Sequence, residues 1–157
     1  MAAVHVAIVR KTLKEYADRG VFGSFSEKAL KNSKTQFDFL WLYNKRYTLL
    51  FDAEKDSLTF KDCFPHVPVR SEIYGGIKDF LKERSNSKLR AHRRIDPKRA
   101  LVTCSNRSGK VSLSVEVKRN QYAYATKKLI NLLHETFLMI DQCFTEYLYE
   151  HFDLPEE

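Results

Sequence analysis

Residues 36–52 read QFDFLWLYNKRYTLLFD, and their periodicity decides the architecture. Phe37, Phe39, Trp41 and Tyr43 fall on alternate positions, and Tyr47, Leu49 and Phe51 do the same beyond Asn44-Lys45. A period of two, carried by aromatic and β-prone residues on either side of a turn-prone pair, is the signature of a β-hairpin. Aromatic rows on a sheet can stack nucleic-acid bases, but such platforms intersperse basic residues on the same face. Here Tyr47, Leu49 and Phe51 continue an apolar surface, so the row is expected to be core. Leu40, Leu42 and Leu50 lie on the opposite face, which is therefore not wholly polar.

Outward from the hairpin, AEKDS supplies a turn and LTFKDCF a third, shorter strand ending at Pro65, whose nitrogen has no hydrogen to donate to a ladder. Upstream, Val6, Val9, Leu13, Tyr16 and Ala17 recur at helical spacing before Gly20, which predicts a helix over 3–18, with the alternation in VHVAIV leaving a strand as the minority reading. The glycines of VFGSFS predict a loop that returns Phe22 and Phe25 to the core. Downstream, Ser71 is a candidate N-cap for SEIYGGIKDFLKER, a helix to about residue 84. Gly75 and Gly76 cost that helix about 1 kcal/mol each relative to alanine, which points to close packing against the sheet; the alternative is a turn that approaches a ligand. RALVTC and KVSLSVEVK flank the turn Asn106-Arg107-Ser108-Gly109. In the second of them Val111, Leu113, Val115 and Val117 alternate with polar residues, a half-buried strand.

The last element has the strongest helical stripe: Leu129, Leu133, Phe137, Ile140, Phe144, Leu148 and Phe152, with Asn120 as candidate cap. Unbroken over about 32 residues it would be roughly 48 Å long. A compact chain of this size has a diameter of roughly 40 Å. The helix would outrun its domain and expose Tyr147, Leu148, Tyr149 and Phe152, which makes these four the expected interface of a homodimer. A kink or an early stop is the other reading.

The 157 residues, 43% hydrophobic and 30% charged, suffice for one packed core and imply a single α+β domain over 1–157. The net charge is +7, and eight basic against two acidic residues between Lys82 and Arg99 account for +6 of it. That density marks KLRAHRRIDPKRA (88–100) as the candidate binding segment, with Arg90, Arg93, Arg94, Lys98 and Arg99 pairing with phosphates or an acidic protein surface. The bland reading is a solvated connector in which Asp96-Pro97 starts a turn. The C-terminal EHFDLPEE, with acidic residues 150, 153, 156 and 157, is a candidate counter-charge.

Recognisable reaction chemistry does not emerge. SGKVS at 108–112 lacks the first glycine and the hydroxyl of a phosphate loop. Cys63 and His66 are not followed by a second ligand pair at zinc spacing. His134 beside Glu135 has neither a second histidine at zinc spacing nor a nucleophile elbow. The expectation is a protein without enzymatic activity, cofactor or metal. Three scattered cysteines suggest reduced thiols. The first residues do not form a convincing signal peptide, and no apolar run approaches the ~20 residues of a membrane span, so a soluble cytoplasmic location is expected.

Taken in order, helix, three antiparallel strands, helix, two strands and a long C-terminal helix, with about five strands covered by helices on one face, the elements resemble the type III secretion chaperone-like fold. Secretion chaperones and YbjN-type proteins share that fold. The resemblance extends over nearly the whole chain in topology and carries no residue motif. It implies a small, dimerising, chaperone-like module, although secretion chaperones are typically acidic and this chain is basic. The competing function is nucleic-acid binding through the basic segment 82–99.

Overall fold

The computed structural model describes residues 2–86, 88–90 and 93–152. The chain is α+β. Its elements are α1 (Ala2–Asp18), β1 (Gly23–Ala29), β2 (Lys34–Leu40), β3 (Arg46–Asp52), β4 (Ser57–Phe64), α2 (Glu72–Glu83), β5 (Ala100–Arg107), β6 (Lys110–Val117), α3 (Tyr122–Cys143) and α4 (Thr145–His151). The strands form one six-stranded antiparallel sheet in the order β1-β2-β3-β4-β6-β5.

The alternation read from the sequence sets the register. Phe37 faces Leu49, Leu49 faces Phe60, Phe60 faces Leu113 and Leu113 faces Cys104, so a single apolar row crosses five strands. With Phe39, Tyr47, Phe51, Leu58, Val111 and Val115 these side chains make the sheet half of the core. Leu129, Leu133, Phe137 and Ile140 of α3 supply much of the helical half, and α1 and α2 pack beside α3. On the other face polar side chains bond to one another, Gln36 and Thr48 donating to Asp38 at 2.8 and 2.7 Å and Thr59 meeting Ser114 at 2.8 Å. Leu50 lies half-buried among them.

Four expectations are corrected. The sheet has six strands, because the segment expected to be a loop after Phe22 is β1. A register shift between Gly23 and Ser26, with Ser24 left-handed at φ 48°, absorbs the glycine-rich start, and the rest pairs with β2. Phe22 is buried, as expected.

Next, the last helix is broken. Phe144 (φ −140°, ψ 49°) ends α3 and begins α4, which folds back on the domain. Tyr147 donates its hydroxyl to the Pro65 carbonyl at 2.5 Å, and Phe152 packs 5.1 Å from Phe137 and 5.6 Å from Tyr43. Tyr147, Leu148 and Phe152 are therefore buried within their own chain; only Tyr149 of the expected interface is exposed.

Third, α3 is not capped by Asn120. Arg119 and Asn120 are both left-handed, and Gln121 takes the cap position without a side-chain bond. Finally, the close packing expected at the glycine pair belongs to Gly76 and to a different neighbour. A Cβ on Gly76 would lie 2.8 Å from the Phe144 ring, whereas one on Gly75 would meet nothing within 4 Å. The glycine accommodates the helix break rather than the sheet. Ser71 does cap α2, accepting the Tyr74 amide at 3.3 Å.

Candidate binding site: a basic ledge on the last long helix

The connector between α2 and β5 is held to the ends of α2 and α3 through Ile95, Asp96 and Arg99. Ile95 is buried, and its amide donates to the Arg84 carbonyl at 2.7 Å. The Asp96 amide donates to the Tyr124 hydroxyl at 2.9 Å. Asp96 also starts the turn expected at Asp96-Pro97: its carboxylate accepts the Lys98 amide at 2.9 Å, and its carbonyl accepts the amides of Arg99 and Ala100. Arg99 lies over the Tyr124 ring, with its guanidinium carbon 3.6 Å from the ring centroid, and both Nε and Nη2 donate to Gln121 Oε1 at 2.9 and 2.8 Å. Contact of this kind between a guanidinium and an aromatic face is attractive and restricts the side chain.

On that mount Arg93 and Lys98 are exposed, and Arg94 and Arg99 are half-buried. Lys128 of α3 joins them, its ammonium 5.5 Å from the Tyr124 ring. Burial pulls the Lys128 pKa below the ordinary lysine value; Glu135 opposes the shift, and the like charges of Arg99 and Arg94 add to it. Arg94 and Arg99 are thus close enough to Lys128 to disfavour its charge. Arg90 is exposed at the start of the turn whose carbonyl accepts the amides of Arg93 and Arg94. All five cations expected to form the site stand on one connector; Arg99 shares the Tyr124 ring with Lys128, and Arg94 lies near enough to Lys128 to act on it. Ala91 and His92 lie outside the described residues, as do Asp153, Glu156 and Glu157 of the proposed counter-charge. Glu150 is beside His151 at 3.6 Å, at the other end of the helical layer from Tyr124.

Arg84 belongs to the same basic run and has a different task. It is 8% exposed, stacks 4.0 Å from the Phe80 ring and donates to Glu135 at 2.9 Å, joining α2 to α3 beneath the connector. Sequence reading missed Tyr124, Gln121, Lys128 and Glu135. Tyr124 and Lys128 are four apart, which places them on one helix face, but nothing local says that the connector lies across that face.

The remaining candidates resolve simply. Cys63 is buried, its thiol 3.5 Å from the Val111 carbonyl, and burial pushes its pKa far up. His66 stacks on His151 with ring centroids 4.6 Å apart, beside a cleft of about 700 Å³ bordered by Glu72, Cys143 and Glu146. Among the described residues no three His, Cys, Asp or Glu side chains are arranged to hold a metal, no helix is long and apolar enough to cross a membrane, and all three cysteines are unpaired. Phe37 and Phe39 of the aromatic row are fully buried, and Trp41 and Tyr43 are half-buried against the core, as expected of packing residues. Comparison with family models, curated proteins and solved structures gives no match.

Proposed function

We propose that this chain is a non-enzymatic protein-interaction module of the cytoplasm, whose basic ledge takes an acidic segment of a partner protein. The observation that carries the reading is the fixed mount, in which Arg99 is held over Tyr124 and bonded to Gln121 while Lys98, Arg93 and Arg90 stand exposed on the same connector. An acidic ligand meets those exposed cations without any rearrangement of the mount. The three unpaired thiols suit a reducing compartment.

Nucleic acid is the second reading, and one observation narrows it. Phe37 and Phe39 of the aromatic row are packed into the core, and Arg99 covers one face of Tyr124, so the row on the sheet offers bases no stacking platform. A nucleic acid would be held there by its phosphates alone, with a steep salt dependence.

Changing Arg90, Arg93, Lys98 and Arg99 together to glutamate tests the site. With exposed charge pairs worth about 0.2–1 kcal/mol each, affinity for a glutamate-rich peptide is expected to fall roughly tenfold to a hundredfold, measured by fluorescence anisotropy. Unchanged affinity would remove the ledge from the function.

The chaperone-like resemblance and the homodimer belong to the same proposal. Among the described residues the exposed large apolar side chains are Val4, Val21, Val69, Leu101, Leu138 and Tyr149, of which Leu138 (49% exposed) and Tyr149 (40%) lie on the last two helices. Light scattering of the purified protein is expected to give twice the chain mass; a monomer mass at every concentration would contradict it.

A further inference from the structure

The two edges of the sheet are built differently. At β1 the register shift, the left-handed Ser24 and the charges of Glu27 and Lys28 interrupt a regular ladder, and Arg10 of α1 clamps Glu27 at 2.6 and 2.7 Å. Bulges, edge charges and covering contacts are the devices by which natural sheets block strand addition. β5 has no bulge and no left-handed residue, and its covering contacts are confined to the hairpin end, where Asn106 Nδ2 donates to the Val67 carbonyl at 2.8 Å and the Val67 amide donates to the Gly109 carbonyl at 2.8 Å. Its register with β6 is unbroken over all eight residues, and from Ala100 to Asn106 it carries no charge, proline or glycine.

The ladder shows which groups are open. Lys118 donates its amide to the Arg99 carbonyl at 3.0 Å, and Arg107 pairs with Lys110 across the two-residue turn. Bonded and non-bonded pairs alternate in an antiparallel ladder. Leu101, Thr103 and Ser105 therefore bond to β6, while the amides and carbonyls of Val102, Cys104 and Asn106 point outward. Among the described residues no group outside β6 bonds to those outward main-chain atoms. α2 lies over the helix face of β5, with the Tyr74 hydroxyl 4.0 Å from Cys104 Sγ.

Charge selects the occupant. Lys98 and Arg99 stand at one end of β5, and Arg107 and Lys110 at the other. A second copy pairing antiparallel through the same edge would set basic end against basic end, and flanking charges of this kind deter self-pairing. A segment with acidic ends turns both repulsions into attractions, in either strand direction.

We propose that β5 is a docking edge on which an extended acidic segment of a partner protein adds to the six-stranded sheet, its uncharged middle along Leu101–Asn106 and its carboxylates at Lys98/Arg99 and Arg107/Lys110. The inference rests on the acidic-partner reading above and specifies how that partner is held. A strand of eight residues spans roughly 27 Å, so the ledge and the hairpin tip act as the two ends of one site. Nucleic acid cannot supply the ladder.

The test uses a short peptide of alternating valine and threonine closed by glutamates at both ends, and the same peptide N-methylated on alternate amides. The first is expected to bind and to slow amide exchange at Val102, Cys104 and Asn106. N-methylation on the pairing edge, which leaves every charge in place, is expected to weaken binding about tenfold or more, since each bond of the ladder contributes about 1 kcal/mol. Val102→Pro, which removes an outward amide, is expected to do the same, with circular dichroism confirming its fold. Equal binding by methylated and unmethylated peptides, lost on charge reversal of the ledge, would overturn strand addition and leave the ledge standing. No binding by either peptide would overturn both. Self-association of the protein abolished by Val102→Pro would give the edge to a second copy and overturn the proposal.

Discussion

Phe137→Ala is expected to destabilise the protein by about 3–5 kcal/mol, the usual cost of removing a buried phenyl ring. Phe137 is 1% exposed and stands where four elements meet. Its ring is 4.8 Å from Phe64 at the end of β4, 5.2 Å from Tyr43 in the turn before β3, 6.3 Å from Tyr47 and 5.1 Å from Phe152 after α4. None of these neighbours can collapse into the space independently, because Phe152 follows the folded-back α4 and Tyr43 lies in a left-handed turn at φ 58°. For a chain of this length the thermal midpoint should drop by roughly 10 °C, at 2–4 °C per kcal/mol. The control is Leu138→Ala, one residue on and 49% exposed, which should stay within about 0.5 kcal/mol. Comparable losses from the two substitutions would mean that α4 does not pack as described.

Glu135→Ala should cost about as much for a different reason. It leaves the Arg84 guanidinium buried without its carboxylate, and uncompensated buried charges typically cost about 3–5 kcal/mol. The Arg84 Nε is already buried without a partner, so little remains to absorb the loss. The pair itself need not stabilise the fold, because desolvation offsets much of its attraction. Arg84→Met combined with Glu135→Leu, which fills the volume with apolar groups, should therefore recover most of the loss in urea denaturation. A double variant no more stable than Glu135→Ala alone would contradict this account. Because the Arg84 carbonyl also holds Ile95, the single substitution should loosen the connector as well.

What could be read from the sequence follows from where each interaction lies. The runs 37–51 and 111–117 disclosed their strands because half-burial imposes a period of two on neighbouring residues. β1 did not, since SFSEKA has a single large apolar side chain, and the segment is a strand because β2 offers it a ladder. The break at Phe144 was hidden for the opposite reason: the apolar period continues through Phe144, Leu148 and Phe152 with neither proline nor glycine at the break. The groups that accompany the break are distant in sequence, Gly76 admitting the Phe144 ring and Pro65 accepting the Tyr147 hydroxyl. Charge counting found the ledge, and Asp96-Pro97 marked its turn. Its mount on Tyr124 and Gln121 joins residues more than twenty positions apart, which no local pattern announces.

Outside its one fixed basic connector the α+β chain is nearly neutral, +1 of its net charge of +7, so the connector is where an acidic partner is distinguished from a nucleic acid. The most direct measurement is a side-by-side titration of the unmodified protein with an acidic peptide and with a single-stranded oligonucleotide of equal charge, at one ionic strength near physiological. Saturable binding of the peptide is expected, with weaker binding of the oligonucleotide, which gains phosphate contacts but no strand pairing. Oligonucleotide binding tighter than peptide binding would contradict the acidic-partner reading.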